Sequence, residues 1–337
     1  MERPPRLAVT MGDPAGIGAE VVAAAFAEGA TDADLLVVGD AAVLRRALAI
    51  RGLDLDVRAI DDPREARYDA GTMDVLDLAN VADHEWGVLR ESFGAASLDY
   101  VERAIDLALD GVVDGIVTAP INKQATRMAG AEHAGHTGLL AERTGTETYS
   151  MMLVEDDLRV THVSTHVPLR EACDLVTEER VLDTIRVTRE GLRDLGLDDP
   201  TIGVAGLNPH ASDGGLLGDE EADEIAPAVE RARAEGIDAV GPESPDTVYV
   251  RAARGAFDCV VSMYHDQGHI PIKTLGFDEA GGVSGVNVTV GLPIVRTSVD
   301  HGTAFDIAGD GVASPASMRD AISLAATAVR NRRDRDA

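Results

Sequence analysis

Three histidine residues stand directly after short apolar segments, at points where the strands of an α/β protein would end. His166 follows the second half of MMLVEDDLRVTHVST, His210 follows TIGVAG, and His265 follows FDCVVSM. Neighbouring parallel strands end at one edge of a sheet, so three such imidazoles can meet at one point. Three neutral imidazoles with an open coordination position are a catalytic arrangement for zinc, cobalt, nickel or manganese. The pattern therefore predicts a metal centre, and hydrogen-bonded loop histidines without a metal are the alternative.

His162 is the chief rival to His166 in this interpretation. It lies an even number of residues before His166 on the same predicted strand, so both rings could face one way. The spacing alone does not choose between them.

A second candidate site lies in the segment SVDHGTAFDIAG, residues 298–309. Two glycines and several small residues flank a predicted short helix, whose first amides could approach a planar or anionic ligand closely. A phosphate or nucleotide is the expected ligand, and an ordinary loop with a helix cap is the alternative. The usual nucleotide motifs are missing from the sequence: Val21 stands where GxGxxG needs its third glycine, and neither lysine lies in a Walker A motif.

Both lysines of the chain lie beside candidate functional segments. Lys123 ends TAPINK, Lys273 ends HIPIK, and every other basic residue is arginine. An ammonium group can bind phosphate or carboxylate, and its pKa can be tuned for proton transfer. Further polar residues that could bind an anionic, hydroxylated small molecule are His136, Thr137, Asn287 and Arg296. Alternatively, Asn287 caps a strand and Arg296 pairs with one of the many carboxylates.

The elements that would position these residues alternate between strand and helix. Apolar segments predict strands at 6–10, 34–39, 113–118, 201–206 and 257–263, and helices at 17–27, 97–110 and 178–195. Ser97 is the expected N-cap of the second of these helices. Residues 151–165 read as two strands joined by a polar turn, which predicts an antiparallel hairpin. The repeated strand–helix units indicate an α/β protein with a largely parallel sheet.

Length and composition indicate an ordinary globular protein. The chain has 337 residues, 45% of them apolar and 26% charged, which fits two packed subdomains. No run approaches the roughly 20 apolar residues of a membrane-spanning helix, and MERPPRLAVTMGD lacks the apolar stretch of a secretory signal. We therefore expect a cytoplasmic location. Cys173 and Cys259 are too few for a disulfide framework or a four-thiolate zinc site.

The charge balance is strongly acidic. There are 30 basic and 59 acidic residues, a net charge of −29, and the excess is spread along the chain. Such a surface repels nucleic acid and anionic membranes, so we expect neither as a partner. It also predicts a protein adapted to concentrated salt, where self-repulsion is screened within a few Å. An acidic protein encoded by a GC-rich genome is the alternative.

Eight motifs together resemble the 4-hydroxythreonine-4-phosphate dehydrogenase family. They are TMGDPAGIGAE, TAPINK, GHTG, THVPLR, LNPHASDGG, GPESPDTV, MYHDQG and GVNVTVGLPIVRTSVDHGTAFDIAG, in family order from Thr10 to about Met318. That family is related in fold to isocitrate and isopropylmalate dehydrogenases, whose nicotinamide loop is similar to HGTAFDIAG. The resemblance implies two intertwined α/β/α subdomains with the site in a cleft, residues 1–130 plus 286–337 on the cofactor side and 131–285 for metal, substrate and dimerisation. It also implies a homodimer with active sites at the interface.

The resemblance also implies roles for individual residues. It places a divalent metal (Zn, Co, Mn, Ni or Mg) on His166, His210 and His265, and so favours His166 over His162. It places the substrate on His136, Thr137, Lys273, Asn287 and Arg296, and NAD or NADP on Asp300, His301, Gly302, Thr303, Ala304 and Asp306. Lys273 is the candidate for anion binding or enolate protonation, and Asp266 for orienting a ligand or relaying a proton.

The implied activity is the oxidation and decarboxylation of a 4-phosphorylated 3-hydroxy acid. The Gly-rich segment GFDEAGGVSG and His269 differ from the enzyme of vitamin B6 synthesis. Both are more similar to the branch that converts D-threonate or D-erythronate 4-phosphate to dihydroxyacetone phosphate and CO2, which we therefore expect. The alternative substrate is 4-hydroxy-L-threonine 4-phosphate. Alternatives from other classes are a metal-dependent aldolase or lyase without nicotinamide, and a non-enzymatic binding protein.

Overall fold

A computed structural model of the chain describes residues 3–29, 33–131, 136–276 and 285–337. The chain forms two compact units. Unit 1 comprises Met1–Gly145 and Leu292–Ala337, and unit 2 comprises Thr146–Gly291. These limits differ from the expected ones at 130/131 and 285/286, and the functional roles assigned to the two subdomains stay predictions.

Unit 1 contains six parallel strands and the helices that cover them. The strands are β1 (Arg6–Thr10), β2 (Asp34–Gly39), β3 (Asp56–Ile60), β4 (Thr72–Asp77), β5 (Gly115–Thr118) and β12 (Val295–Val299), in the sheet order β3-β4-β2-β1-β5-β12. The helices are α1 (Gly18–Ala27), α2 (Ala41–Arg51), α3 (Glu91–Leu109), α4 (Lys123–Met128), α5 (His136–Thr144) and α11 (Ala316–Asp336). Every residue of β5 and β12 is buried, as expected for strands covered on both faces.

Unit 2 contains a mixed sheet. Its strands are β6 (Ser150–Glu155), β7 (Leu158–His162), β8 (Ile202–Ala205), β9 (Ala239–Glu243), β10 (Cys259–Ser262) and β11 (Val286–Val290), in the order β11-β6-β7-β10-β8-β9. The β11–β6 and β6–β7 pairs are antiparallel and the others are parallel. The helices are α6 (Leu169–Asp174), α7 (Glu178–Asp194), α8 (Ala226–Ala234), α9 (Val248–Ala252) and α10 (His265–Gly276). The predicted hairpin and the α/β class are confirmed.

Two local predictions are wrong. Ser97 is not an N-cap, because α3 begins six residues earlier at Glu91, and the Ser97 hydroxyl donates instead to the carbonyl of Gly94 within the helix. Gly94 lets α3 approach α4: a Cβ at this position would lie 2.1 Å from the Ala125 carbonyl oxygen. The predicted short helix in 298–309 is also absent from the described structure, where β12 runs to Val299 and turns follow until α11.

The helix α10 is anchored in the core of unit 2. Ile272 on this helix is 3% exposed and packs in one apolar cluster with Leu153 of β6 and Val160 of β7. This anchor fixes the helix that carries His265, His269 and Lys273.

None of the helices that the structure describes has the length and apolar character that crossing a membrane requires.

Asp13 is a fully buried carboxyl group in the loop between β1 and α1. Its Oδ1 accepts a hydrogen bond of 2.9 Å from the Ala15 amide, while its buried Oδ2 has no hydrogen-bond partner among the described residues. Burial raises the pKa of Asp13 to about 6, although the amides of Ala15 and Asn122 oppose this effect. The ionised carboxylate therefore costs stability at neutral pH.

We expect Asp13→Asn to stabilise the protein at pH 7.5 but much less at pH 4.5. The folded state holds the Asp13 proton up to about pH 6 and the unfolded state releases it near pH 4, so the wild-type protein loses stability as the pH rises between these values. The expected gain at pH 7.5 is on the order of 2–3 kcal/mol, measured by urea unfolding.

The control for this prediction is Asp54→Asn, which removes the same charge from an exposed position. A stability difference between Asp13→Asn and the wild-type protein that does not depend on pH would contradict the prediction.

Candidate active site

Three neighbouring parallel strands of unit 2 end beside one another. β10 pairs with β7 on one side, at Val260 and Val160, and with β8 on the other, at Val260 and Gly203. His166 follows β7, His210 follows β8, and His265 begins α10 just after β10. The prediction that three adjoining strand ends carry these histidines is confirmed, while their role as metal ligands stays a prediction.

Four imidazoles form a histidine cluster, consisting of His162, His166, His265 and His269. The rings of His265 and His269 stack, with centroids 3.6 Å apart and planes within 10°. The centroid of His265 lies 5.6 Å from that of His166, and the centroid of His269 lies 4.8 Å from that of His162. His166 and His265 also line a cavity of about 300 Å³, together with Thr165, Val167, Leu169, Ala172, Tyr264 and Asp266.

The hydrogen bonds of the cluster determine which nitrogens carry protons. His265 Nδ1 lies 2.7 Å from a carboxylate oxygen of Asp266, so Nδ1 donates its proton there and Nε2 keeps a lone pair when the ring is neutral. A carboxylate that fixes the tautomer in this way is the usual support of a metal-binding histidine.

His162 is the buried partner of the cluster. Burial, and secondarily the charge of His269, lowers the pKa of His162 to about 3, so the ring is neutral at physiological pH. Its Nδ1 lies 3.3 Å from the Met151 carbonyl oxygen and its Nε2 lies 3.2 Å from His269 Nδ1. Because both nitrogens make hydrogen bonds, His162 is better suited to supporting its neighbours than to binding a metal.

His210 occupies an exposed turn at the end of the neighbouring strand β8. Its φ of 57° and ψ of 24° are left-handed values, which are rare for a residue other than glycine. Within the part of the chain that the structure describes, no three His, Cys, Asp or Glu side chains lie close enough to hold one metal ion. The structure thus brings together His166 and His265, which have the donor chemistry for a metal, and does not bring His210 to them.

Two further predicted substrate residues lie in unit 2. Lys273 follows His265 and His269 at intervals of four residues, so all three share one face of α10. Asn287 lies on β11, and its buried side-chain oxygen has no hydrogen-bond partner in the described ranges. A buried acceptor of this kind is suited to a ligand donor.

A cationic cluster in unit 1 consists of Arg296, His136 and Lys123. Arg296 on β12 is 3% exposed, and its guanidinium donates to the Thr118 hydroxyl at 2.7 Å and lies 3.3 Å from His136 Nδ1. Burial lowers the pKa of Arg296 to about 10, which leaves it charged at neutral pH. Burial, followed by the charges of Arg296 and Lys123, holds the pKa of His136 well below its ordinary value.

His136 is therefore a neutral donor beside a fixed positive charge. Since Nδ1 faces the guanidinium, the ring proton belongs on Nε2, a buried atom with no hydrogen-bond partner among the described residues. His136 also lines a cavity of about 280 Å³. Thr137 follows in the first turn of α5 and is half-buried.

The predicted cofactor residues Asp300, His301, Gly302, Thr303, Ala304 and Asp306 lie in a turn-rich loop between β12 and α11. The segment after β1 holds this loop at two points: the Ile17 amide donates to the Thr303 carbonyl at 3.0 Å, and the Gly309 amide donates to Glu20 at 2.7 Å. Gly16 is required for the contact, because a Cβ there would lie 2.9 Å from Thr303. Around Gly302, in contrast, no described atom outside residues 301–303 lies within 4 Å of a hypothetical Cβ, which leaves room for a flat ligand.

Sequence reasoning missed two residues that join the strand ends. The Gln267 side chain donates to the Gly206 carbonyl at 2.7 Å and accepts from the Met263 amide at 2.6 Å, so it links the ends of β8 and β10. Gly268 lets α10 lie close to His162 of β7, because a Cβ there would lie 2.5 Å from His162 Nε2. The spacing HDQGH, with histidines four residues apart, was the available signal. Residues 277–284, most of the distinguishing Gly-rich segment, lie outside the described residues.

Residues 31–325 match the family described as "Pyridoxal phosphate biosynthetic protein PdxA". The D-threonate 4-phosphate dehydrogenase of Salmonella typhimurium is 47% identical over 324 residues, covering 95% of this chain and 97% of that protein. The 4-hydroxythreonine-4-phosphate dehydrogenase of Geobacter metallireducens is 47% identical over 330 residues, covering 97% and 96%.

A solved structure shows the same fold. The crystal structure of a 4-hydroxythreonine-4-phosphate dehydrogenase from Klebsiella pneumoniae is 45% identical, with a TM-score of 0.85 and coverage of 97% of this chain and 98% of that one. The motifs of the sequence, the α/β fold and these matches agree. The chain belongs to the PdxA family of dehydrogenases.

Proposed function

We propose that the chain is a dehydrogenase that oxidises a 4-phosphorylated 3-hydroxy acid with NAD and then decarboxylates the product. The observation that carries this proposal is the cationic cluster of unit 1, which combines a buried guanidinium with a buried imidazole donor. Such a cluster matches a phosphate or carboxylate group. Because its relatives are dehydrogenases, an aldolase or lyase without nicotinamide is not favoured.

The substrate binds through its anionic ends in this proposal. Arg296 supplies the fixed charge and His136 donates from Nε2, while Thr137 adds a hydroxyl at the start of α5. Lys273 and Asn287 of unit 2 are proposed as further substrate residues on the ground of the family resemblance, and they would supply an ammonium group and an amide. A buried cation such as Arg296 would select an acid over a neutral sugar.

The oxidation step removes a proton from the C3 hydroxyl and a hydride from C3 of the substrate. Nicotinamide, when it is bound, accepts the hydride. The loop of Asp300–Asp306 is the proposed cofactor site, because Gly302 leaves its backbone accessible and Glu20 and Ile17 hold the loop in place. NAD is proposed over NADP from family resemblance alone.

The decarboxylation step releases CO2 from the 3-keto acid and leaves an enolate that takes up one proton at carbon. Lys273 is the proposed proton donor, and Asp266 is proposed to fix the His265 tautomer through its 2.7 Å hydrogen bond. His166, His210 and His265 are the proposed metal ligands. A divalent cation bound there would lower the pKa of the substrate hydroxyl and stabilise the enolate.

The preferred substrate is proposed to be D-threonate or D-erythronate 4-phosphate, giving dihydroxyacetone phosphate and CO2. This choice rests on His269, which stacks directly on His265, and on the Gly-rich segment that follows α10 in the sequence. The alternative is 4-hydroxy-L-threonine 4-phosphate, which has an amino group in place of one hydroxyl. A single contact can decide between two groups of such similar size.

A homodimer is proposed as the functional assembly. Large apolar side chains are exposed after three adjoining strands of unit 2: Leu169 follows β7, Leu216 follows β8, and Ile270 follows β10, with exposures of 62%, 80% and 64%. Contiguous exposed apolar residues mark interaction surfaces, and we propose that these three side chains belong to one such surface. Identical chains most often pair about a twofold axis. A second copy of this chain is therefore the proposed partner.

The reaction is tested by NADH absorbance with the three phosphorylated acids. We expect D-threonate or D-erythronate 4-phosphate to give the highest kcat/KM, and excess chelator to abolish turnover until metal is restored.

His210→Ala should lose at least 100-fold in kcat while its melting temperature stays within a few degrees of wild type, since the side chain is exposed. Turnover that persists without metal would refute the metal site, and the absence of NADH formation with every substrate would refute the dehydrogenase.

The dimer is tested by light scattering after size exclusion. We expect the wild-type protein to have twice the 35.4 kDa mass of the chain, and Ile270→Asp to shift toward the monomer because it places a charge in the apolar interface. Val312→Asp in unit 1 is the matched control, since this side chain is also exposed, at 67%. A monomeric wild-type protein would exclude the proposed assembly.

Adaptation to concentrated salt, proposed from the net charge of −29, is tested by thermal melting. We expect the melting temperature to rise by several degrees between low and multimolar KCl, because salt screens the repulsion between carboxylates. An uncharged osmolyte at equal osmolality serves as the control and should give a smaller rise. Equal melting temperatures across the KCl series would rule out this adaptation.

A further inference from the structure

Asp13 carries a buried charge that the described part of the chain does not neutralise. Its carboxyl group is fully buried; one oxygen accepts from the Ala15 amide at 2.9 Å, and the other has no hydrogen-bond partner among the described residues. Within the same ranges, no arginine, lysine or histidine forms an ion pair with Asp13. Buried charges in proteins are normally paired with an opposite charge. Asp13 therefore lacks a counter-ion in the described structure.

This unpaired carboxylate lowers the stability of the folded protein. Burial raises the pKa of Asp13 to about 6, so the group is still mostly ionised at neutral pH. An asparagine has nearly the same shape and could accept the hydrogen bond from Ala15 through its side-chain oxygen without carrying a charge. A destabilising group that a neutral analogue could replace calls for a functional explanation.

The loop that carries Asp13 contacts both proposed binding regions of unit 1. On one side, the Ile17 amide donates to the Thr303 carbonyl at 3.0 Å, which joins this loop to the proposed cofactor site. On the other side, the Asp13 carboxylate accepts from the backbone amide of Asn122, which directly precedes Lys123 of the cationic cluster. The loop of Asp13 thus connects the cofactor loop to the start of α4.

The oxidised nicotinamide ring has the charge that Asp13 lacks. The ring carries one positive charge before it accepts hydride and none afterwards. In the proposed function the ring must be within reach of a substrate held by the cationic cluster and of the cofactor loop, and the loop of Asp13 contacts both regions. Because Arg296 and Lys123 repel a cationic ring, a negative charge on this loop would offset that repulsion.

We propose that the Asp13 carboxylate makes the protein bind oxidised nicotinamide more tightly than the reduced form. This inference rests on the proposed function, in which the loop of residues 300–306 binds the cofactor. The carboxylate acts through its electric field, so its buried oxygen needs no direct contact with the ring. Once the ring has accepted two electrons and a proton as hydride, its positive charge is gone and Asp13 no longer attracts it, which favours release of the reduced cofactor.

The test measures dissociation constants of NAD+ and NADH for the wild-type protein, Asp13→Asn and Asp13→Ala, at pH 8 and one fixed KCl concentration. NADP+ and NADPH are titrated in the same way. Trp86 is the only tryptophan of the chain and packs against Gly309 in the segment 298–309, where a Cβ would lie 2.7 Å from the Trp86 ring. Its fluorescence therefore reports binding at this segment without any turnover.

We expect Asp13→Asn to weaken binding of the oxidised form by roughly 10-fold, the size expected for one charge pair several Å apart in a protein. Binding of the reduced form should stay within twofold of wild type. Asp13→Ala should show the same selective loss, which separates the effect of the charge from that of side-chain shape, and either variant carries the test if the other does not fold. Asp54→Asn removes an exposed charge from unit 1 and should change neither constant by more than twofold.

The outcomes separate this inference from the proposed function. A wild-type protein that binds none of the four nucleotides overturns the proposed cofactor site and the role of Asp13 together. If the wild-type protein binds a nicotinamide nucleotide, losses in Asp13→Asn that are equal for the two forms, larger for the reduced form, or absent overturn the role of Asp13 and leave the cofactor site standing. A loss confined to the oxidised form supports the role of Asp13.

Discussion

The parallel pairing of β7, β10 and β8 is the constraint on which the chemistry of unit 2 depends. Parallel strands that lie side by side end at the same edge, so the segments that follow them begin at that edge. Histidine side chains follow the strands at that edge, and other residues hold the surrounding backbone in place. Gln267 links two strand ends, Glu221 binds the turn after β8 through hydrogen bonds, and Ile272 anchors α10 in the apolar core. The sheet therefore fixes where these side chains begin, and the hydrogen bonds and apolar contacts of the neighbouring residues limit their movement.

The corresponding feature of unit 1 is a buried cation, the Arg296 guanidinium, in a protein with a large excess of acidic residues. A guanidinium buried on β12 would be costly in an apolar setting, and the chain lowers that cost with the hydroxyl of Thr118 and the ring of His136. Lys123 adds to the positive potential that keeps His136 neutral. Against a net charge of −29, this local reversal of sign gives an anionic ligand a defined place to bind.

Much of the fold could be predicted because buried strands are short apolar runs and amphipathic helices repeat every three to four residues. The hairpin of β6 and β7, the strands β1, β2 and β5, and the helix α7 follow these patterns closely. Ser97 failed as a cap because a buried serine can satisfy its hydroxyl inside a helix, which local propensity does not reveal. Glu221 and Gln267 could not be found from the sequence, since Asn208 lies 13 residues from the first and Gly206 lies 61 residues from the second, and only the fold joins them.

The strands that open and close unit 2 are neighbours in its sheet. Ser150 at the start of β6 pairs with Val290 at the end of β11, and Gly291 is pressed against the backbone of Thr148. The chain therefore enters and leaves unit 2 at neighbouring points. Unit 2 is thus one continuous stretch of sequence, Thr146–Gly291, whose first and last strands are hydrogen-bonded to each other.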